Sequence, residues 1–374
     1  MNDITKNLPG LYIHIPFCVS KCPYCNFYSI TDQSALPAWI DALRLEMTIY
    51  ADEFDTFDTI YLGGGTPSTL SPKALSSIID DLYRTFSMAD NGEFTMEANP
   101  GDMNDDVLSF IRDTPINRVN LGVQSFDDDI LAYLGRRHDS KKARQALSLL
   151  RKKGGAHIGI DLIYGVPAQS MESWMTTLEE ALRYKPEHLS CYELTVETDT
   201  PLGQRLGSRS EELVGEEQAY SFFMTTSERL EEAGYIHYEV SNFALREELR
   251  SRHNMKYWNH TPYLGLGPSA HSLKGNRRWW NFSSLERYID DLRQNLPPVE
   301  DSETLDEEDL RLERIFLGLR TKEGIDGNEF SSFDPVQTGL LRQCMADGLL
   351  ERRDNRIIPT RRGLALADQL AAAL

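Results

Sequence analysis

Glu93-Phe94-Thr95-Met96-Glu97-Ala98-Asn99 alternates without a break: Phe94, Met96 and Ala98 are apolar, while Glu93, Thr95, Glu97 and Asn99 are polar. The period of two is that of a β-strand, whose successive side chains point to opposite faces. The same alternation recurs in Val119/Leu121/Val123 against Asn120/Gly122/Gln124, and in Ile158/Ile160/Leu162 against Gly159/Asp161. Further strand candidates are Leu11–Pro16, Thr59–Leu62 and Leu189–Leu194, with helix-period stretches at Leu36–Tyr50, Pro72–Phe86, Ser140–Lys153 and Met171–Tyr184 between the strands. Six βα units in series predict a parallel sheet with right-handed crossovers. Parallel strands covered by helices on both faces read as continuous apolar runs, so a polar second face implies a lumen or ligand cavity. The expected fold class is therefore α/β, a partial (β/α)6 barrel whose polar residues gather at the C-terminal strand ends.

The loop after the first strand carries Cys18-Val19-Ser20-Lys21-Cys22-Pro23-Tyr24-Cys25. Three thiolates at this spacing can hold three irons of a 4Fe-4S cube and leave the fourth open to a ligand. His14 stands four residues ahead and leaves a zinc site as the other reading. The remaining cysteines of the five, Cys191 and Cys344, are isolated. Gly63-Gly64-Gly65-Thr66-Pro67 directly follows the second strand, where glycines let backbone groups approach a ligand. Glu97, Gln124 and Asp161 point inward near three successive strand ends. Arg136, in the loop after the fourth strand, can meet a ligand carboxylate or form a surface pair.

The 40% apolar and 26% charged composition is that of an ordinary globular chain of 374 residues. No apolar run is long enough to span a membrane, the opening MNDITKNLPG is polar, and clustered free cysteines suit a reducing compartment. The expected location is cytoplasmic. A net charge of −19 opposes non-specific nucleic-acid binding. Gly215–Ala233 reads as a helix and Tyr235–Val240 as a strand. Arg252–Phe282, rich in Trp, Tyr, Asn and Gly, looks loop-like, and the acidic Glu300–Asp309 reads as a linker or an exposed helix start. Helices at Leu310–Thr321 and Val336–Asp347, a hairpin over Leu349–Pro359 and a last helix at Gly363–Leu374 give a winged-helix-like end. Its charges nearly cancel, so no nucleic-acid role is expected. The expected division is a barrel over 1–240, an aromatic-rich connecting segment over 241–299 and a C-terminal domain over 300–374.

Together YIHIPFCxxxCxYCxF, GGGTP, EANP, LGVQSF, GID-LIYG and LGLGPSAHS, as they stand here, resemble the radical S-adenosylmethionine superfamily. More narrowly they resemble the branch of oxygen-independent coproporphyrinogen III oxidases and HemW-type heme chaperones. The resemblance implies that Cys18, Cys22 and Cys25 hold a 4Fe-4S cluster whose open iron is chelated by S-adenosylmethionine. It implies that Gly64, Gly65, Thr66 and Glu97 hold the methionine and ribose parts, and that Tyr12, Tyr24, Gln124, Arg136 and Asp161 are further contacts. Some of these serve a second S-adenosylmethionine in the oxidases. Cleavage of the sulfonium to a 5′-deoxyadenosyl radical belongs to the cofactor pair, fed by a low-potential donor such as flavodoxin or ferredoxin, so no catalytic side chain is assigned. The oxidases carry a further Cys where this chain has Phe27, and a longer segment before the first strand. His253-Asn254-Met255-Lys256-Tyr257-Trp258 looks like the chaperones' HNxxYW motif, giving His253 as heme ligand candidate with Asn254, Tyr257 and Trp258 beside it. Arg277-Arg278-Trp279-Trp280 can pair heme propionates. The expected function is to bind heme and pass it to hemoprotein acceptors. The alternative is oxidative decarboxylation of coproporphyrinogen III.

Overall fold

The computed structural model describes residues 8–207 and 213–374; residues 1–7, most of the polar opening segment, lie outside them. Six strands, β1 (Gly10–Ile15), β2 (Thr56–Gly64), β3 (Ser87–Ala98), β4 (Arg118–Gln124), β5 (His157–Tyr164) and β6 (His188–Glu193), pair in parallel and in chain order. Their outer faces, among them Leu11, Ile13, Phe94, Met96 and Leu121, are buried under the crossover helices around Trp39 and Trp174. Each such side chain contributes about 1.5–3 kcal/mol by leaving water. Polar side chains just ahead of the helices fix where several begin: Ser71, Asn104, Asp139 and Ser170 each accept a backbone N–H of the first turn.

The barrel is open. After β7 (Ile236–Glu239), β8 (Asn242–Ala244) pairs antiparallel with β6 and with β7. The free edge of β1 takes β9 (Tyr263–Leu266) in parallel, followed by β10 (His271–Lys274), β11 (Arg277–Asn281) and β12 (Val299–Thr304) in antiparallel succession. All twelve form one sheet, which is the expected partial barrel with added strands at both edges.

Four local expectations are corrected. The loop-like Arg252–Phe282 contains the helix Arg252–Trp258 and strands β9, β10 and β11. The helix has seven residues and the strands four or five, too few for either period to be read. Glu300–Asp309 is not a linker: its first half is edge strand β12, whose exposed acidic residues belong to an unpaired sheet margin, and a helix starts at Glu307. The helix from Ser140 ends at Leu149, widens into one π turn and stops at Gly155, where φ is +70°. The terminal helix is two short helices, Arg361–Ala365 and Ala367–Ala373, broken at Leu366.

The C-terminal region has its own core around Ile315, Leu319, Ile357 and Leu370. Helices Glu307–Gly318 and Pro335–Ala346 pack on a small sheet of β13 (Ile325–Asp326), β14 (Leu350–Arg353) and β15 (Arg356–Pro359). It is tied to the barrel by backbone bonds from Val240 to Arg320 and from Lys322 to Tyr238. Lys322 and Arg361 also pair with Glu231. Among the described residues no helix is long and apolar enough to cross a membrane.

Candidate functional site

The cysteine loop is pinned at its neck. Cys18 N–H donates to Ile30 O (2.9 Å), and Ile30 N–H to Pro16 O (2.8 Å), while Phe17 packs edge-on against Trp39. The residues between must arch over the C-terminal ends of the strands. Within the arch Cys25 N–H turns back to Cys22 O (3.1 Å). Cys18, Cys22 and Cys25 line one small cavity of about 60 Å³ with Gly65, Thr66 and Arg136. Cys18 Sγ lies 3.4 Å from Thr66 Oγ1, and Arg136 Nη1 donates to Cys22 Sγ at 3.3 Å.

This geometry bears on the two metal readings. Among the described residues no three Cys, His, Asp or Glu side chains converge as for a single ion; the thiols surround a space rather than a point. His14, the fourth zinc ligand in that reading, is 3% exposed and fully engaged: Nε2 bonds Tyr28 O (2.8 Å) and Nδ1 the Tyr12 hydroxyl (3.2 Å). The donor set, three thiols spread around a cavity with a cation beside one of them, fits a multi-iron cluster.

That cavity adjoins a larger one of about 490 Å³ inside the barrel, lined by Tyr24, Gly64, Gly65, Thr66, Glu97, Gln124, Arg136 and Asp161. Eight of the nine expected cofactor contacts thus share one space. Gly64 turns at φ +101°, and a Cβ there would strike the His14 ring at 2.7 Å, so the backbone is bare where it meets the cavity. Gln124 holds φ +68° at a register shift in β4, a cost to a non-glycine residue. Its amide thereby turns into the cavity, with Oε1 left without a partner. Gly122 makes room for it, since a Cβ there would lie 3.1 Å from Gln124 Nε2.

Burial raises both carboxyls. Glu97 is pushed up to about 7 by burial, with repulsion from Asp161 adding to it, although Tyr61 donates to Glu97 Oε1 at 2.7 Å. Asp161 is raised to about 6 by burial, against a Ser190 hydrogen bond and the Arg136 charge. Burial thus disfavours charge on this wall, and a cationic ligand with hydroxyls to donate would favour the ionised carboxylates.

The ninth contact, Tyr12, faces a side pocket of about 230 Å³ that shares Phe27, Tyr61, Gly64 and Glu97 with the main cavity and continues to His253, Asn254 and Tyr257. There His253 departs from its expected role. It is 1% exposed, Nδ1 bonds Thr59 Oγ1 (2.8 Å), Nε2 bonds the Tyr257 hydroxyl (2.9 Å), and its backbone N–H donates to Glu93 Oε1. Burial, with Lys256 nearby, lowers its pKa to about 3. Neither ring nitrogen is free for iron, because the helix is docked on β2 through this ring and on β3 through the His253 backbone N–H. Trp258 turns away from the pocket, where Arg320 stacks on it. Of Arg277-Arg278-Trp279-Trp280, Trp279 is core, stacked on Tyr50, Arg277 lies over it, and Arg278 is held by Glu303 and Glu313.

Sequence reasoning missed Tyr61, which orients Glu97, and Asn120, which donates to the Tyr61 hydroxyl at 3.4 Å. Both stand on inward positions of the same period-two pattern.

Comparison with known proteins agrees with this architecture. The radical SAM superfamily model matches residues 12–181 and the HemN C-terminal domain model residues 305–366. The chain is 32% identical to the heme chaperone HemW of Bacillus subtilis, over 98% of this chain and 99% of that one. It is 33% identical to HemW of Mycobacterium tuberculosis H37Rv, over 98% and 94%, and 36% identical to HemW of Escherichia coli K12, over 70% and 69%. Among solved structures, the E. coli coproporphyrinogen III oxidase HemN superposes with a TM-score of 0.84 over 98% of this chain and 90% of that one, at 24% identity, a likeness of fold. With pinned cysteines, bare glycine turn and inward carboxylates at the strand ends of an open barrel, and with full-length identity above 30%, the chain belongs to the HemW family of the radical SAM superfamily.

Proposed function

We propose that this protein is a heme chaperone that binds a 4Fe-4S cluster and S-adenosylmethionine, carries heme and passes it to hemoprotein acceptors. The observation that carries the reading is the adjacency of two spaces: a cavity walled by Cys18, Cys22 and Cys25, and the barrel cavity reached by Gly64, Glu97, Gln124 and Asp161. Bound there, the cluster and S-adenosylmethionine would supply reductive cleavage of a sulfonium. The chain's own residues bind and orient. Backbone groups of Gly64, Gly65 and Thr66 would hold the methionine part, and Glu97, fixed by Tyr61, would accept from ribose hydroxyls. Arg136 places positive charge beside Cys22, and Tyr24 with the arch covers the site from water. A low-potential donor such as flavodoxin or ferredoxin would serve it in the cytoplasm.

Phe27 favours the chaperone over the decarboxylase. It stands where the oxidases of the branch carry a further cysteine, is 68% exposed, and lines both the main cavity and the side pocket. The reading is tested by anaerobic reconstitution followed by heme titration. About four irons per chain, lost on Cys18→Ser, Cys22→Ser or Cys25→Ser but kept on Cys344→Ser, together with saturable heme binding, would support it. Stoichiometric zinc without iron, or turnover of coproporphyrinogen III, would overturn it.

A further inference from the structure

The side chain of His14 meets three parts of the site at once. On β1 it is level with Gly63 of β2, and Ile15 is level with Gly64. Gly65 N–H donates to Ile15 O (2.8 Å) and Thr66 N–H to Phe17 O (2.8 Å), so the glycine turn is stitched to the chain entering the cysteine arch. The imidazole fills the space beside Gly64, where a Cβ would lie 2.7 Å from its ring atoms. From there Nε2 reaches Tyr28 O, where the chain leaves the arch, and Nδ1 reaches the Tyr12 hydroxyl at the side pocket. Each neighbour is itself held. The Tyr28 hydroxyl accepts Leu285 N–H at 2.9 Å. Gly267, in the LGLGPSAHS motif, turns at φ +99° so close to His14 O that no Cβ would fit. Its N–H donates to buried Glu46 at 2.8 Å.

These partners fix a proton. A carbonyl oxygen can only accept, so Nε2 carries the hydrogen and donates to Tyr28 O. Burial lowers the His14 pKa to about 4, which keeps the ring neutral, with one N–H. Nδ1 is therefore an acceptor, and the Tyr12 hydroxyl donates to it. The Tyr12 oxygen is left with lone pairs alone. The side pocket thus presents acceptors, the Tyr12 oxygen and the Glu97 carboxylate, to a ligand that donates.

We propose that His14 is a positioning residue: it holds the Tyr12 hydroxyl as a hydrogen-bond acceptor for the amine or hydroxyl donors of S-adenosylmethionine, and it ties that contact to the cysteine arch. This rests on the cofactor reading above. Without Nδ1 the Tyr12 proton is released toward the pocket, where it opposes a donating ligand.

The test uses the full reconstituted chain, with S-adenosylmethionine binding read by calorimetry, the cluster by absorption and folding by circular dichroism. His14→Phe keeps a ring beside Gly64 but offers Tyr12 no acceptor. It is expected to bind about tenfold more weakly, the upper range for one neutral hydrogen bond. The amide of His14→Gln can both donate to Tyr28 O and accept from Tyr12, so this variant is expected to bind within about threefold of wild type. Tyr12→Phe should weaken binding as His14→Phe does. The double variant should be no weaker than Tyr12→Phe alone, since both act through one hydroxyl. Nitrogen-15 NMR of the histidine-labelled chain should show an imidazole, absent from His14→Gln, protonated at Nε2 and not at Nδ1. A folded His14→Phe protein with wild-type affinity, additive losses in the double variant, or an Nδ1–H tautomer would overturn the assignment and leave the cofactor reading standing. Equal loss of stability in the Phe and Gln variants with unchanged affinity would do the same. Wild-type protein that binds iron but no S-adenosylmethionine would overturn both.

Discussion

Arg136 Nη1 donates to Cys22 Sγ across 3.3 Å, while Nη2 of the same guanidinium is anchored on Gly122 O at 2.8 Å. The charge is thus fixed in position beside a thiol of the arch by a backbone contact to β4. A cation beside a cluster ligand stabilises the more negative, reduced state. Arg136→Met should therefore lower the reduction potential of the reconstituted cluster by roughly 100–200 mV, the scale of one charge at about 4–7 Å in a medium of effective dielectric near 20. A redox titration followed by electron paramagnetic resonance checks this; an unchanged or raised potential would contradict it.

Glu97 tests the separation of cluster from cosubstrate. It projects from β3 and is fixed by Tyr61, away from the arch. Glu97→Ala should weaken S-adenosylmethionine binding by roughly ten- to a hundred-and-fiftyfold, the range for a hydrogen bond to a charged group, with iron content intact. Tyr61→Phe should act more mildly, since the carboxylate remains but is less well oriented. Calorimetry on reconstituted protein reads both.

His253 has a pH signature that a heme ligand would not give. An unfolded imidazole takes a proton near pH 6.5, whereas the buried ring resists protonation down to about pH 3. Between these values the unfolded chain binds more protons, so the ring's contribution to stability is complete above 6.5 and is lost as pH falls below it. His253→Gln should flatten the fall in stability between pH 6.5 and 4 by up to about 1.4 kcal/mol per pH unit. Denaturant midpoints at a series of pH values measure it. Hemin affinity should show no step near pH 6.5 that disappears with His253.

What could be read from the sequence follows the length and regularity of each signal. Strand β4 and the helix from Leu36 lie where their periods place them, because each repeats its pattern several times. Gly64, Glu97, Gln124 and Asp161 converge because period-two alternation and βα order together fix both face and strand end. Strands β9 to β11 were not legible, since each has four or five residues and the partner of β9, β1, is some 250 residues distant in the chain, while β12 is almost wholly exposed and shows no alternation. The role of His253 was not legible either. A motif gives the residue type, but only packing brings Thr59 and Tyr257 to its two nitrogens.

Delivery of heme, rather than chemistry on a porphyrinogen, is the function proposed for this chain. The most direct measurement mixes heme-loaded, cluster-reconstituted protein with an apo-hemoprotein under anaerobic conditions and follows both Soret bands. In parallel, the same preparation receives S-adenosylmethionine, a reductant and coproporphyrinogen III. A heme chaperone will make the acceptor's band grow as the donor's falls, and will leave coproporphyrinogen unconsumed. Heme that stays on the donor while coproporphyrinogen loses propionate carboxyls would contradict it.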